Sequence, residues 1–523
     1  MATESQVALQ EIVSTNPADG SVVGRFPVAD RVEVRVAVDR ARAAQPAWYA
    51  QGLRKRLRIL RQFQRLLHAR KLEVANLISR EAGKPEVEAL LTEVLVVLDV
   101  VRFLDKHAYS VLRPERVPHG NLILKAKRGR LLREPYGVIA IISPWNYPFS
   151  IPATETLAAL AAGNGVVLKP SEFTPAAAVE LAKLLYEAGV PDGVFQVVTG
   201  EGPTGVALLE SPIDKVIFTG SVSTGRRIAQ TAAQKLLPVV LELGGKDAMI
   251  VLADADVDVA SSAAVWGAFV NAGQTCLSVE RCYVHRSVYD RFVAACVEKT
   301  QKLRVGSGAN SEVEVGPMIH QRQLEIVEAQ VNEAKSQGAR VLCGAERLSR
   351  LGQNFYAPTV IVDVTHTMQL LAEETFGPVL PIVPFDTEDE AIRLANDSEF
   401  GLAASVWTRD RRHGEAIAKK LNAGTVMVND VICGFGISEA PHGGVKSSGI
   451  GRTHGRLGLE EMVRVKYLDS DLTPRMKKLW WYGYSAKLNR QMSSFTDMLF
   501  APSLWGRIRG ALGSTGALIR KRL

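Results

Sequence analysis

The chain has 523 residues, 47% hydrophobic and 23% charged, an ordinary globular composition that excludes a disordered or fibrous protein and leaves room for two to four domains. Its five cysteines (Cys276, Cys282, Cys296, Cys343 and Cys433) are odd in number and form no Cys-x-x-Cys or Cys/His cluster, so neither a disulfide framework nor a metal site is expected. The net charge of +8 does not make a nucleic-acid binder, because residues 474–523 hold ten Lys and Arg against one Asp, leaving the body near neutral and without a basic groove.

The N-terminus "MATESQVALQEIV" has no basic stretch followed by an apolar one, and the start reads as cytosolic. In the first hundred residues, "RVEVRVAVDRARAAQPAW" and "RKRLRILRQFQRLLHARKLEVANLISREAGK" repeat apolar residues at three and four spacing, which predicts amphipathic helices, the second stopped at Gly83. Asn121 to Pro135, "NLILKAKRGRLLREP", alternates like a strand and reads as a hairpin or extension. From Tyr136, short runs apolar throughout ("GVIAII", "GVVL", "GVFQVV", "KVIF", "PVVLEL") alternate with helical stretches, the pattern of βαβ units and a parallel sheet covered on both faces. A second α/β stretch runs from about Gly244 to Ser448, and the basic tail follows "VRVKYLDSDLTP".

Ligands of doubly wound sheets bind where loops leave the carboxyl ends of strands. Three unusual loops stand there: "PWNYP" (144–148), "KPSE" (169–172) and "TGSVSTG" (219–225), the last opening a helix whose free N–H groups suit a phosphate. A Gly-x-x-x-x-Gly turn alone is weak, since glycine often serves the backbone only; three such loops in one sheet strengthen the reading. Glu242, between leucines in "LELGGK", is a carboxylate in an apolar strand, either a base with a raised pKa or an ion-pair partner of Lys246. Cys282, Cys296 and Cys343 read as small core residues. Cys276 differs: Gly273, Gln274 and Thr275 suit a turn that brings N–H groups to the sulfur, favouring a thiolate and an oxyanion formed by its attack on a carbonyl.

Together "PWNYP", "KPSE", "FTGSVSTG", "LELGGK", "NAGQTC", "EETFGP" and "PHGGVKSSGIGR" stand in the order and approximate spacing of the NAD(P)-dependent aldehyde dehydrogenase superfamily, a resemblance covering residues 14 to 470. It implies an α/β fold with a Rossmann-type cofactor domain (1–117 and 136–243), an α/β catalytic domain (244–454), a small β extension that pairs subunits into a homodimer or homotetramer (118–135 and 455–470), and here a basic amphipathic tail (471–523). By resemblance Cys276 is the nucleophile, Glu242 the general base and Asn146 the side-chain donor to the oxyanion. Lys169 and Glu172 resemble residues at the adenine ribose, Gly202, Gly220 and Ser221 pyrophosphate-loop positions, Trp145 a cofactor-pocket residue, and Glu374 and Phe376 the pair at the nicotinamide ribose and ring. The implied reaction oxidises an aldehyde through a cysteine thiohemiacetal and a thioester that Glu242 hydrolyses through one water. Glu172 favours NAD by repelling a 2′-phosphate, while NADP stays open because Lys169 is adjacent.

Two departures bear on substrate and partner. His442 replaces a phenylalanine common in relatives and reads as a hydrogen-bonded structural histidine, while Thr154 replaces a large aromatic, a wider passage suited to medium or long-chain, or bulky apolar, aldehydes. A semialdehyde dehydrogenase and a non-catalytic NAD-binding scaffold remain the alternatives. The tail holds Trp480, Trp481 and Trp505. If it is helical, Trp505, Ile508, Leu512 and Ile519 share a face, with Arg507 and Lys521 away from it. Such a tail rests on an anionic membrane surface, or packs on a partner subunit or over the substrate entrance; glycines at 506, 510, 513 and 516 weigh against the helix. No run reaches the roughly 18 apolar residues of a spanning helix.

Overall fold

The computed structural model describes residues 10–309, 312–478 and 480–514. It divides into two compact units, one containing Pro135–Arg464 and the chain up to Leu112, the other Arg113–Glu134 and the chain from Val465.

Two sheets organise the first unit. The first contains β1 (Val138–Ile142), β2 (Gly165–Lys169), β3 (Phe195–Val197), β4 (Lys215–Thr219) and β5 (Val239–Glu242), parallel and in the order 3-2-1-4-5. Period-two alternation explains why β1 is apolar throughout: Val138, Ala140 and Ile142 enter one buried cluster with Val34, Val38, Leu208 and Ile228, while Ile139 and Ile141 enter another with Phe63, Val101, Leu157 and Leu181. The strand order reverses between β1 and β4, and such a switch point opens a crevice at the carboxyl ends. Gly449–Ile450 adds an antiparallel edge to β5, opposite Glu242 and Leu241.

The second sheet contains β6 (Asp247–Val251), β7 (Val279–His285), β8 (Arg340–Cys343), β9 (Thr359–Val362), β10 (Val379–Phe385), β11 (Ala403–Trp407) and β12 (Thr425–Val428), in the order 8-9-10-7-6-11-12 with only β8–β9 antiparallel. Met249 and Val251 face one buried cluster, Ala248 and Ile250 another. The amphipathic N-terminal segments form helices Arg31–Ala50, Leu53–Ala69 and Lys71–Ala82, the last ended by Gly83 at φ 81°, as its left-handed cap requires.

In the second unit, Lys127–Pro135 lies between Glu115–Val117 and the strand Val463–Asp471 in a three-stranded sheet. The expected start of the extension at 455 is corrected: Gly455–Glu460 is a helix, and its Leu459 is buried in the first unit's core beside Leu157 and Val100. The tail contains helices Ala486–Phe500 and Leu504–Ser514; Ile519 and Lys521 lie outside the described residues. No described helix is long and apolar enough to cross a membrane.

Candidate active site

Cys276 follows a short helical turn in which Asn271, Ala272 and Gly273 all adopt positive φ (54°, 55° and 72°). The cost of left-handed residues is met by cross-bracing. Asn271 donates from its amide nitrogen to the carbonyls of Asn146 and Gln274, and its backbone N–H donates to Glu88, whose carboxyl burial has pushed up to about 7. Gly273 is required by proximity as well as conformation, because a Cβ there would stand 2.1 Å from the Gly377 carbonyl oxygen.

The facing loop is braced from below. Lys84, fully buried, donates at 2.7 Å to Glu93 and at 2.7 Å to the Asn146 carbonyl, with its ammonium 3.9 Å from the Tyr147 ring centroid. Glu93 sits in a π-helical turn and also accepts from the N–H groups of Phe149 and Ser150. Tyr147 and Thr275 share a hydroxyl–hydroxyl bond of 2.8 Å, and the Asn146 amide donates to Gln274 at 3.0 Å. Asn146 is thus placed beside the turn that carries Cys276, with one amide proton used.

Cys276 and Glu242 line the same cavity of about 430 Å³, whose remaining wall is mostly apolar, including Leu91, Val96, Ile151, Trp266, Phe435 and Ile437. Neither carboxyl oxygen of Glu242 has a hydrogen-bond partner, and burial, with Glu155 adding, pushes its pKa well above the usual carboxylate range. The pairing of Glu242 with Lys246 does not form: Lys246 donates to Glu280 at 2.6 Å and to Thr375 at 2.9 Å. Gly443 leaves room for the carboxyl, since a Cβ there would lie 2.9 Å from Glu242 Oε1.

The turn's help to a thiolate meets an opposing effect: burial, then the carboxyl groups of Glu374, Asp247 and Glu242, push the Cys276 thiol up, while its own backbone N–H pulls it down. His442 lines the cavity with Nδ1 unpartnered and Nε2 3.8 Å from Glu242 Oε2, in place of the expected hydrogen-bonded structural histidine; burial holds it neutral, down to about 4. Thr154 lines the same wall, and Cys282 and Cys296 are buried core residues as expected.

The sequence-predicted cofactor residues cluster at the carboxyl ends of the first sheet. Lys169, at the end of β2, pairs with Glu172 at 3.5 Å, and a Cβ on Gly205, in the helix opened by Gly202, would lie 4.0 Å from the Lys169 side chain. Ser221 caps the helix Val222–Gln234, and Gly220 hydrogen-bonds the Glu242 carbonyl. Phe376, at φ 53°, sets its ring edge-on to Trp145 at 5.4 Å. Glu374 accepts from the Gly245 N–H at 3.0 Å and is pushed up to about 8 by burial. These groups fit a dinucleotide: open space at Gly202, exposed hydroxyls at a helix N-terminus and an aromatic pair stand beside the switch-point crevice. Sequence reasoning missed Glu280, which accepts from the N–H groups of Thr375 and Phe376 and holds that loop, as it missed Lys84, Glu88 and Glu93. Acidic residues in the otherwise apolar "EALLTEVLVVL" were the available signal.

The sequence profile of the Aldehyde dehydrogenase family matches residues 3–468. The chain is 41% identical over 492 residues to the 4,4'-diapolycopene aldehyde oxidase of Methylomonas sp, covering 94% of this chain and 91% of that protein. It is 39% identical over 459 residues to an NADP(+) succinate-semialdehyde dehydrogenase of Escherichia coli K12, covering 87% and 93%. Among solved structures, the NAD-dependent aldehyde dehydrogenase of Sinorhizobium meliloti superposes with a TM-score of 0.86 at 39% identity over 90% of this chain and 93% of that one. Fold and site therefore define an oxidoreductase that acts on aldehydes with a nicotinamide dinucleotide. The chain belongs to the aldehyde dehydrogenase family.

Proposed function

We propose that the protein oxidises long, apolar aldehydes to carboxylic acids with NAD. The observation that carries this reading is the pairing of Cys276 with an unpartnered buried carboxyl, Glu242, in one apolar cavity. Cys276 passes its thiol proton to solvent water as Sγ bonds to the aldehyde carbon and the carbonyl π electrons move onto oxygen. The new oxyanion takes hydrogen bonds from the Cys276 N–H and from the second amide proton of Asn146, whose first is held by Gln274. Bound NAD supplies the acceptor for the hydride that the carbon must lose. Trp145, Glu374 and Phe376 would hold its nicotinamide end, Gly202, Gly220 and Ser221 its phosphates, and Lys169 and Glu172 its adenine ribose, with Glu172 favouring NAD over NADP. Glu242 then takes a proton from water as the oxygen attacks the thioester carbon; the C–S bond breaks, and the carboxylic acid leaves with Cys276 reprotonated.

The substrate class follows from the wall. Among its described lining residues the cavity has no Lys or Arg to neutralise an acid group, which disfavours a semialdehyde acid, and Thr154 leaves it wide. A relative named for 4,4'-diapolycopene aldehyde agrees in kind. The reading also includes action in the cytoplasm, a homodimer or homotetramer paired through the three-stranded sheet, and a tail at a membrane surface. The test is NADH formation from saturated aldehydes of increasing length and from succinate semialdehyde, with Cys276→Ser as control. kcat/KM rises with chain length and the variant loses activity; NAD binding with no turnover on any aldehyde would leave only a scaffold.

A further inference from the structure

The two tail helices, Ala486–Phe500 and Leu504–Ser514, pack closely on each other. Small residues line the contact: a Cβ on Gly510 would lie 2.2 Å from the backbone nitrogen of Met498, and one on Gly513 would lie 2.4 Å from the Ser494 hydroxyl oxygen. The glycines that lower helix propensity are therefore what lets the helices touch. Phe495 is buried, but Phe500, Leu504 and Trp505 at the hairpin turn are each 74% exposed, and Tyr482 upstream is 92% exposed. A hairpin folded for water would place these side chains inside. The tail also carries exposed Lys487, Arg490, Arg507 and Arg509, with Asp497 as the single acid after residue 473.

We infer that this hairpin docks on an anionic lipid bilayer, its Phe500–Trp505 turn entering the headgroup boundary and its cations facing lipid phosphates. Charge selects the occupant: the body of a second copy is near neutral and its tail carries the same sign, whereas an anionic leaflet is complementary, and amphipathic aromatics favour the interface. The inference extends the substrate reading, because a long apolar aldehyde partitions into bilayers, where docking concentrates the enzyme.

The experiment sediments the full chain with phosphatidylcholine vesicles, with and without phosphatidylglycerol. The protein pellets with the anionic vesicles at low salt and is released at about 1 M salt, where the Debye length falls to about 3 Å. Arg490→Glu with Arg509→Glu, and separately Phe500→Ser with Trp505→Ser, each lower the bound fraction about tenfold or more. NADH formation from propionaldehyde, unchanged in both variants, certifies folding and tests the catalytic reading separately. Protein that stays in the supernatant at low salt, binds both vesicle types equally, or loses oligomer mass rather than vesicle binding in the variants overturns the inference.

Discussion

Replacing Glu242 by Gln separates the two halves of the reaction. The side chain keeps its shape and its native carboxyl has no hydrogen bond to lose, so the fold is expected to tolerate the change. Acyl transfer to Cys276 does not use this carboxyl in the proposed mechanism, whereas hydrolysis does. Loss of a positioned general base costs about 10²–10⁴-fold, equivalent to about 3–5 kcal/mol of barrier. Stopped-flow fluorescence should then show a burst of one NADH per active site followed by a steady rate reduced by that factor, and intact-protein mass spectrometry should find the acyl adduct on Cys276. The pH dependence has a defined sign. Burial and Glu155 raise the Glu242 pKa, so the wild-type steady rate climbs with pH through a midpoint well above the usual carboxylate value, and the variant lacks that limb. A wild-type steady rate in Glu242→Gln, with no burst, would refute the assignment.

Burial first, then Glu155, itself pushed up to about 8 by burial, raises Glu242. Glu155→Gln removes the repulsion, so the alkaline limb of kcat moves to lower pH; an unmoved midpoint in a full pH–rate profile counts against the contribution of Glu155. Glu93→Gln strands the Lys84 ammonium in the interior and is expected to cost about 3–5 kcal/mol, read as a lowered Tm with loss of activity, because Asn146 hangs from Lys84. Adding Lys84→Met should restore part of the stability, and a double variant as unstable as the single one would mean that the stranded charge is not the cause.

Residues whose role depends on local chain chemistry were legible in the sequence. Glycine at 273 announced a turn, and β1 to β5 declared a parallel sheet by being apolar on both faces, which only burial on both sides explains. The braces were not legible. Lys84 and Glu93 are nine residues apart, where helical spacing does not bring them together, and Lys84 reaches Asn146 across 62 positions. Glu280 similarly meets Thr375 and Phe376 at separations of 95 and 96. No periodicity encodes contacts of that range, and the upward push on the Cys276 thiol escaped for the same reason: Glu374 and Asp247 approach Cys276 only after folding.

The tail makes the distinction sharpest. Composition located its charge and tryptophans, but helix propensity counted Gly510 and Gly513 as breakers, a penalty of about 1 kcal/mol each against alanine. The fold turns that penalty into a packing surface, since only a residue without Cβ admits Met498 and Ser494 so closely. Phe495 takes the apolar room the hairpin offers, while Phe500, Leu504 and Trp505 at its turn stay exposed. A Gly510→Leu chain would therefore be expected to splay the two tail helices, read as a lower Tm, with NADH formation unchanged.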